Sequence, residues 1–396
     1  MREADQLDID LRSRLDELSV EDLRESAGIK WRRYGRDVLP AWVAEMDFPV
    51  AQPIRDALTD LVSRSQLGYH NVPISNRLRR ALIQRLLDRF GWTVAPQHVH
   101  PLVNVVQGLE AAVFSCTRPG DGVLVQTPIY PPFLRAVTSI GRRLDACPWI
   151  QGPDRYEIDF DALNRCIQPS TRLLLLCHPH NPTGRILDSS ELETLAECAL
   201  RNDWIVISDE IHADLSLAPN RVHRPFASID PEVAQRTITL TSATKTFNLA
   251  GLPCAFAILG GDVAVQRWRS LPPHLLGHSG ILADAATFAA WTHGDTWLQT
   301  VLSLLQRNRE ELGRRIQSDL PGIEWRPPEA TYLAWLDCRA TGLADPARFF
   351  LEQARVALSD GQEFGPPGQG FVRLNFATSG AILEQILDRM ADSLAA

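Results

Sequence analysis

Three apolar runs in the middle of the chain each lead into a polar side chain that could do chemistry. Asn181 follows the first run, Asp209 ends the second and Lys245 follows the third. Taken singly, each has a structural interpretation: a turn residue, a loop-capping carboxylate or a solvated charge. Lys245, however, carries the only charge in the stretch 237–254. A lysine removed from water has a lowered pKa and becomes a usable nucleophile.

Together these side chains form the set that pyridoxal 5'-phosphate needs. That cofactor requires a lysine for a Schiff base and an acid opposite its pyridine nitrogen, which Lys245 and Asp209 could supply. Asn181 and His212 could bind near the ring hydroxyl, and Tyr130 could cover the face of the ring. The sequence therefore predicts a pyridoxal phosphate site, with Lys245 and Asp209 as its catalytic groups and Tyr130 beside them.

The phosphate group and a substrate carboxylate need donors of their own. Val106, Gln107 and Gly108 open a predicted helix, whose N-terminal N–H groups could bind a phosphate. Ser242 could add a hydroxyl. Arg373, in a predicted strand, is the candidate guanidinium for a substrate carboxylate.

The elements that must position these side chains alternate between strands and helices. Short apolar runs predict strands at 123–126, 173–177, 204–209, 237–243 and 255–260, and amphipathic patterns predict helices at 108–117 and 189–203, with Ser189 or Ser190 as a cap. This order predicts an α/β fold with a mostly parallel central sheet and helices on both faces. A long helical run at 281–319, kinked at Gly294, and strands at 331–337 and 371–377 predict a second, smaller α+β domain.

Composition excludes several classes of function. The chain has 396 residues, 45% of them hydrophobic, and a formal net charge of −8. Without a basic run, this charge argues against nucleic acid or an anionic membrane as a partner. No apolar stretch approaches the roughly 20 residues that cross a bilayer. The charged N-terminus has no apolar signal core, and the seven scattered cysteines suit a reducing compartment, so we expect a cytoplasmic protein. The isolated pair His178 and His180 lacks further ligands, so no metal site is predicted.

Four motifs resemble the class I/II pyridoxal phosphate enzymes of the aspartate aminotransferase fold (fold type I). They are NPTG at 181–184, SDEIH at 208–212, SATKTFNLAGL at 242–252 and FVRLN at 371–375. Further segments are similar to the MalY/PatB-like branch of cystathionine and cysteine-S-conjugate β-lyases. These are DVLPAWVAEMDF at 37–48, TPIYPPF at 127–133, HGDTW at 293–297 and TYLAWLD at 331–337.

The resemblance implies an architecture and an assembly. It divides the chain into an N-terminal arm (1–48) that joins the small domain, a large cofactor-binding domain (49–283) and a C-terminal small domain (284–396). It also implies a homodimer with shared active sites, in which Tyr69 reaches the phosphate bound by the neighbouring subunit. Arg373, Asn181 and Ala44 would bind the substrate.

The same resemblance implies a carbon–sulfur β-lyase that acts on a cysteine S-conjugate. Three alternatives share these residues: an aminotransferase, a decarboxylating deaminase of a specialised pathway, and a partner-binding regulator that keeps the fold. Two departures from the family pattern bear on specificity. Pro253 stands where many aminotransferases have a phosphate-binding arginine, and ATSG at 377–380 replaces the segment that usually follows the substrate arginine. The second change is predicted to lie near the carboxylate pocket and to admit a larger conjugate.

Overall fold

The fold is taken from a computed structural model, which describes residues 11–68 and 76–395. Its strands are β1 Leu39–Pro40, β2 Val99–Leu102, β3 Gly122–Thr127, β4 Arg143–Pro148, β5 Ile150–Gln151, β6 Tyr156–Glu157, β7 Thr171–Cys177, β8 Ile205–Asp209, β9 Thr237–Thr241, β10 Ala255–Leu259, β11 Glu324–Trp325, β12 Leu333–Asp337, β13 Val356–Ala357, β14 Ser359–Asp360 and β15 Phe371–Asn375. The longer α-helices are Gln52–Ser63, Asn76–Phe90, Val105–Cys116, Pro131–Thr138, Ser189–Arg201, Asp262–Arg269, Ile281–His293, Asp295–Asp319 and Gly380–Ala395. Shorter ones are Val20–Arg24, Ile29–Arg32, Phe160–Cys166, Pro231–Gln235, Pro273–Leu276 and Pro346–Phe349.

A seven-stranded sheet in the order β2-β10-β9-β8-β7-β3-β4 positions the predicted site. Strands β9, β8, β7, β3 and β4 pair in parallel, and β10 pairs antiparallel with both of its neighbours. The strands are near-continuous apolar runs because both faces of the sheet are covered. Along β7, for example, Leu173 and Leu175 belong to one core and Leu174 and Leu176 to the other. The predicted α/β class and mostly parallel sheet are confirmed.

Two predicted helices differ from the structure at their N-termini, one in its first residue and the other only in its capping residue. Asn104 accepts a hydrogen bond from the N–H of Gln107, so the helix predicted at 108 begins at Val105. Asp188, and neither of the predicted serines, caps the helix Ser189–Arg201 in a reciprocal box with Glu191.

The C-terminal third contains a smaller antiparallel sheet of order β11-β12-β15-β14. The helix Gly380–Ala395 follows the strand β15 in the sequence. The long helical run breaks at Gly294 as predicted, and a Cβ there would lie 2.5 Å from the ring of Phe247. From the N-terminal side, β1 pairs in parallel with β13. The predicted boundary at 283/284 falls within the helix Ile281–His293, and the domain division stays a prediction. Within the described ranges, no helix is long and apolar enough to span a membrane.

Candidate active site

The adjacent strands β7, β8 and β9 end side by side at one edge of the large sheet. Their register pairs Cys177 with Asp209 and Asp209 with Leu240. A cavity of about 200 Å³ opens at this edge. Eight of the predicted site residues line it: Ala44, Val106, Tyr130, Asn181, Asp209, His212, Ser242 and Lys245. The strand order therefore brings together side chains that are far apart in the sequence, while their individual roles stay predictions.

The amine of Lys245 lies against the N-terminal segment that crosses the cavity. Its Nζ donates to the main-chain carbonyl of Ala44 at 2.7 Å, and the hydroxyl of Tyr332 donates to the same oxygen at 3.1 Å. Burial lowers the pKa of Lys245 to about 8, and the positive charge of Arg373 acts in the same direction. A substantial neutral fraction near neutral pH suits this amine to bond formation and to proton transfer.

The carboxyl group of Asp209 is buried at the end of β8. Its Oδ1 accepts a hydrogen bond from the N–H of Ile211 at 3.1 Å. Burial raises the pKa of Asp209 to about 7, against the opposing effects of that hydrogen bond and of Lys245. A buried carboxyl group with a raised pKa would gain from a cationic partner such as a protonated ring nitrogen.

Two aromatic side chains complete the walls of the cavity. Burial lowers the pKa of His212 to about 3, so its imidazole is neutral. Its Nδ1 is buried and has no hydrogen-bond partner within the described part of the chain, which leaves a polar atom for a ligand. The main-chain N–H of Tyr130 donates to the carbonyl of Asn181 at 3.1 Å, and this bond joins the loops after β3 and β7.

Arg373 does not line the cavity directly but reaches it through Asn181. Its Nη1 donates to Oδ1 of Asn181 at 3.1 Å. Burial lowers the pKa of Arg373 to about 10, and its Nε is buried without a hydrogen-bond partner among the described residues. This placement makes Asn181 a link between the cavity and the candidate carboxylate site.

The cavity end beside the helix Val105–Cys116 offers hydroxyl and N–H groups. Thr244 lines the cavity, and its hydroxyl oxygen lies 2.9 Å from that of Ser242. Sequence reasoning chose Ser242 and missed Thr244, although both lie in the SATK motif. The hydroxyl of Ser242 donates its single proton to the carbonyl of Cys254 at 2.7 Å, so the hydroxyl of Thr244 is the donor between these two side chains.

Gln107 and Tyr69, which were also predicted to bind the cofactor, are not among the described residues that line the cavity. The N–H of Gln107 bonds to the capping Asn104 at 2.9 Å, and its side-chain amide donates to the carbonyl of Leu275 at 2.8 Å. The helix presents Val105 and Val106 to the cavity instead, so the geometry lends no support to a cofactor role for Gln107. Tyr69 lies outside the described residues.

The N-terminal segment 42–48, which contributes Ala44 to the cavity wall, is held by side chains from the middle and from the C-terminal part of the chain. Asn375 donates to the carbonyls of Val43 and Glu45 at 2.7 and 2.6 Å. Asn248 bonds to the N–H and to the carbonyl of Met46, both at 3.0 Å. Neither asparagine was singled out from the sequence. The nearest signal was their place in the two recognised motifs, FVRLN and KTFNLAG.

The ATSG segment at 377–380 bonds to the N-terminal part of the chain and to the helix Asp295–Asp319. Asn308 donates to the carbonyl of Thr378 at 2.7 Å, and the carbonyl of Ala377 accepts from the N–H of Asp47. The hydroxyl of Ser379 bonds to the carbonyl of Leu18 at 2.8 Å. None of these four residues lines the cavity, so this segment supports packing of the N-terminal arm.

The arrangement fits pyridoxal phosphate. Four groups surround one cavity: an amine with a lowered pKa, a buried carboxyl group, an imidazole nitrogen and a helix N-terminus. Among the described residues, the carboxyl group forms no salt bridge and the imidazole nitrogen has no hydrogen-bond partner. His178 and His180 are buried beneath the sheet edge, and no cluster of three metal-binding side chains occurs in residues 11–68 and 76–395. The seven cysteines are free.

Comparison with known proteins places the chain in a family. The sequence model of the family described as aminotransferase class I and II matches residues 43–390. Cystathionine beta-lyase PatB of Bacillus subtilis is 35% identical, over 92% of this chain and 96% of that protein. The crystal structure of OvoB superposes with a TM-score of 0.91 at 37% identity and covers 94% of this chain and 97% of that one.

A pyridoxal phosphate-bound C-S lyase from Staphylococcus hominis superposes with a TM-score of 0.89. It is 30% identical and covers 96% of this chain and 98% of that chain. Both the sequence match and the structural match extend over nearly the whole chain, and the sequence match includes Lys245 and the strand that carries Arg373. The chain therefore belongs to the class I and II aminotransferase family, and within it to the MalY/PatB-like group.

Proposed function

We propose that this protein is a pyridoxal phosphate-dependent C–S β-lyase that cleaves a cysteine S-conjugate to a thiol, pyruvate and ammonia. The convergence of Lys245, Asp209 and Asn181 at one edge of the large sheet, with Arg373 of the small sheet bonded to Asn181, carries the proposal of cofactor and substrate class. The names of the PatB relative and of the Staphylococcus C-S lyase favour elimination over amino transfer.

In this function Lys245 would bind the cofactor covalently, and Asp209 would hold the proton on its ring nitrogen. His212 and Asn181 would bind near the ring oxygen, Tyr130 would cover the ring, and donors at the start of the helix Val105–Cys116, with Ser242 and Thr244, would bind the phosphate. When bound, pyridoxal phosphate withdraws electrons from the Cα of the amino acid attached to it.

Arg373 and Asn181 orient the substrate, because a guanidinium binds a carboxylate through two parallel hydrogen bonds. Once the substrate amine has taken its place on the cofactor, the free amine of Lys245 would accept the proton from Cα in its neutral form, which its lowered pKa makes accessible near neutral pH. The Cβ–S bond then breaks with its electron pair on sulfur, and addition of water to the remaining fragment yields pyruvate and ammonia. Ala44, beside Lys245 in the cavity wall, contacts the substrate.

A substrate panel tests the reaction. Cystathionine, S-alkyl cysteines and bulky thiol conjugates are offered to the purified holoenzyme, and pyruvate and free thiol are measured with and without an added keto acid. We expect pyruvate and thiol in equal amounts without any keto-acid requirement. Turnover that depends on a keto acid would instead identify an aminotransferase, and carbon dioxide release would identify a decarboxylating deaminase.

Lys245→Ala tests the assignment of the cofactor lysine. We expect the variant to lose both turnover and the visible absorbance of lysine-bound cofactor, because the chain has only one other lysine, Lys30, whose amine is paired with Asp47 at 2.8 Å. Lys30→Met is the matched control and should retain that absorbance. A Lys245→Ala protein with full activity would refute the assignment.

The assembly and the compartment belong to the same proposal. We infer a homodimer with shared sites, to which Tyr69 contributes across the interface, and the domain division at residues 48 and 283. A cytoplasmic location is supported by the seven free cysteines. Sedimentation analysis of the holoenzyme tests the dimer, and a monomer with full activity would contradict shared sites.

A further inference from the structure

The guanidinium of Arg373 is buried and lacks an ionic partner. It is 4% exposed, and within residues 11–68 and 76–395 no carboxylate lies within ion-pair distance of it. Neutral acceptors hold its two terminal nitrogens instead: Asn181 on Nη1, and the carbonyl of Trp42 and the hydroxyl of Ser359 on Nη2, at 2.9 and 3.1 Å. Because an uncompensated buried charge is costly, an anion from outside the protein would stabilise this guanidinium.

Ser359 lies where two strand pairings meet. On one side, β1 pairs with β13, and the N–H of Ala41 continues this ladder to the carbonyl of Ala357 at 2.9 Å. On the other side, β14 pairs with β15 so that Ser359 stands opposite Arg373. Both pairings are set by main-chain hydrogen bonds, so Ser359 has a fixed place between the N-terminal segment and the arginine.

The hydroxyl of Ser359 has one proton, and its direction is determined. Its Oγ donates to the carbonyl of Trp42 at 2.6 Å, because that carbonyl can only accept. The same oxygen accepts from Nη2 of Arg373 at 3.1 Å. Trp42, Ser359 and Arg373 thus form a closed triangle of hydrogen bonds that fixes the plane of the guanidinium.

We propose that Ser359 is a positioning residue for substrate recognition: together with the carbonyl of Trp42, its hydroxyl holds Arg373 in the orientation that binds the substrate carboxylate. The inference rests on the proposed function and deepens it. It also assigns a binding role to the N-terminal segment, because the orientation of Arg373 depends on a carbonyl of that segment.

Ser359→Ala in the holoenzyme tests this role. We expect KM for an S-substituted cysteine to rise by about tenfold with kcat changed by less than roughly twofold, because one hydrogen bond to a charged group is lost while Lys245 and Asp209 are untouched. Ser359→Thr keeps a hydroxyl at the same position and should restore most of the affinity. Ser359→Cys provides a second small replacement if the alanine variant does not fold.

A pair of ligands separates a specific role from a structural one. L-Alanine and ethylamine differ only by the carboxylate, and their binding is followed by the change in cofactor absorbance. We expect Ser359→Ala to weaken L-alanine by about tenfold and to leave ethylamine unchanged. Equal weakening of both ligands, or of neither, would overturn the proposal, and so would a threonine variant as defective as the alanine variant.

Ser379→Ala is the matched control. It also removes a serine hydroxyl that bonds to a carbonyl of the N-terminal arm, that of Leu18, but it does not bond to Arg373. We expect it to leave the ratio of L-alanine to ethylamine affinity unchanged, and a loss of this ratio would count against a role specific to Ser359. A wild-type protein that cleaves no C–S bond would refute the proposed function. The test of Ser359 would still be decisive, because ligand binding is measured without turnover.

Discussion

The titration of Lys245 in the cofactor-free protein offers a direct test of the site's electrostatics. Burial and the charge of Arg373 lower the pKa of its amine from 10.5 to about 8. Because the neutral form is the one that reacts with aldehydes, we expect Lys245 at neutral pH to have a reactive fraction roughly 300-fold larger than that of an ordinary lysine.

The assay is reductive methylation with formaldehyde at a series of pH values, resolved by mass spectrometry. The chain has only two lysines, so each is followed separately. Lys30 is the internal control: its amine is buried and lies 2.8 Å from Oδ2 of Asp47, and we expect slow labelling throughout. In denaturant, both lysines should titrate near their usual value of about 10.4.

The cause of the shift is tested with Arg373→Met, which removes the charge but keeps much of the side-chain volume. We expect the titration midpoint of Lys245 to rise in this variant, because the nearby positive charge no longer disfavours the ammonium form. The shape of the rate profile, and not its absolute height, decides the result, since access to the cavity affects only the height. A wild-type midpoint equal to that of the denatured chain would refute the reasoning.

Three further changes probe other parts of the structure. Asp209→Asn keeps the shape but not the charge, and we expect kcat to fall by about 10²–10³-fold, measured by pyruvate release, since a preorganised charge is lost. Lys30→Met leaves the buried carboxylate of Asp47 unpaired and should lower the free energy of unfolding by about 3–5 kcal/mol in denaturant melts. Asn104→Ala removes a helix cap, which should cost about 1 kcal/mol and weaken cofactor binding in equilibrium dialysis.

The exposed ion pair of Arg64 provides the control for the buried pair of Lys30 and Asp47. Removing the exposed Arg64 should alter stability by no more than about 1 kcal/mol, because its ion pair lies in solvent. An equal loss in Lys30→Met and Arg64→Met would contradict the role assigned to the buried pair. Unchanged turnover in Asp209→Asn would contradict the catalytic role proposed for this carboxylate. Unchanged cofactor affinity in Asn104→Ala would contradict the proposal that this helix N-terminus binds the phosphate.

Much of the large domain could be read from the sequence because its signals are local. Buried parallel strands are short apolar runs, and five of them were placed to within about two residues. The polar groups after these runs were predicted to converge because parallel strands end at the same edge, and Asp209 and Lys245 indeed line one cavity. Ala44 came from the family resemblance, and Thr244 was predicted by neither route although it lines the same cavity.

Only the tertiary structure decided how the N-terminal segment takes part. Asn375 and Asn248 bond to its backbone, and its Trp42 carbonyl accepts hydrogen bonds from Ser359 and Arg373. Each of these bonds joins residues more than 200 positions apart in the sequence. No periodicity encodes such contacts, because they join side chains to the carbonyls of an irregular segment. The sequence by itself predicted which residues would carry the chemistry. The fold determined which neighbours set their charge and orientation, since burial and distance exist only once the chain is folded.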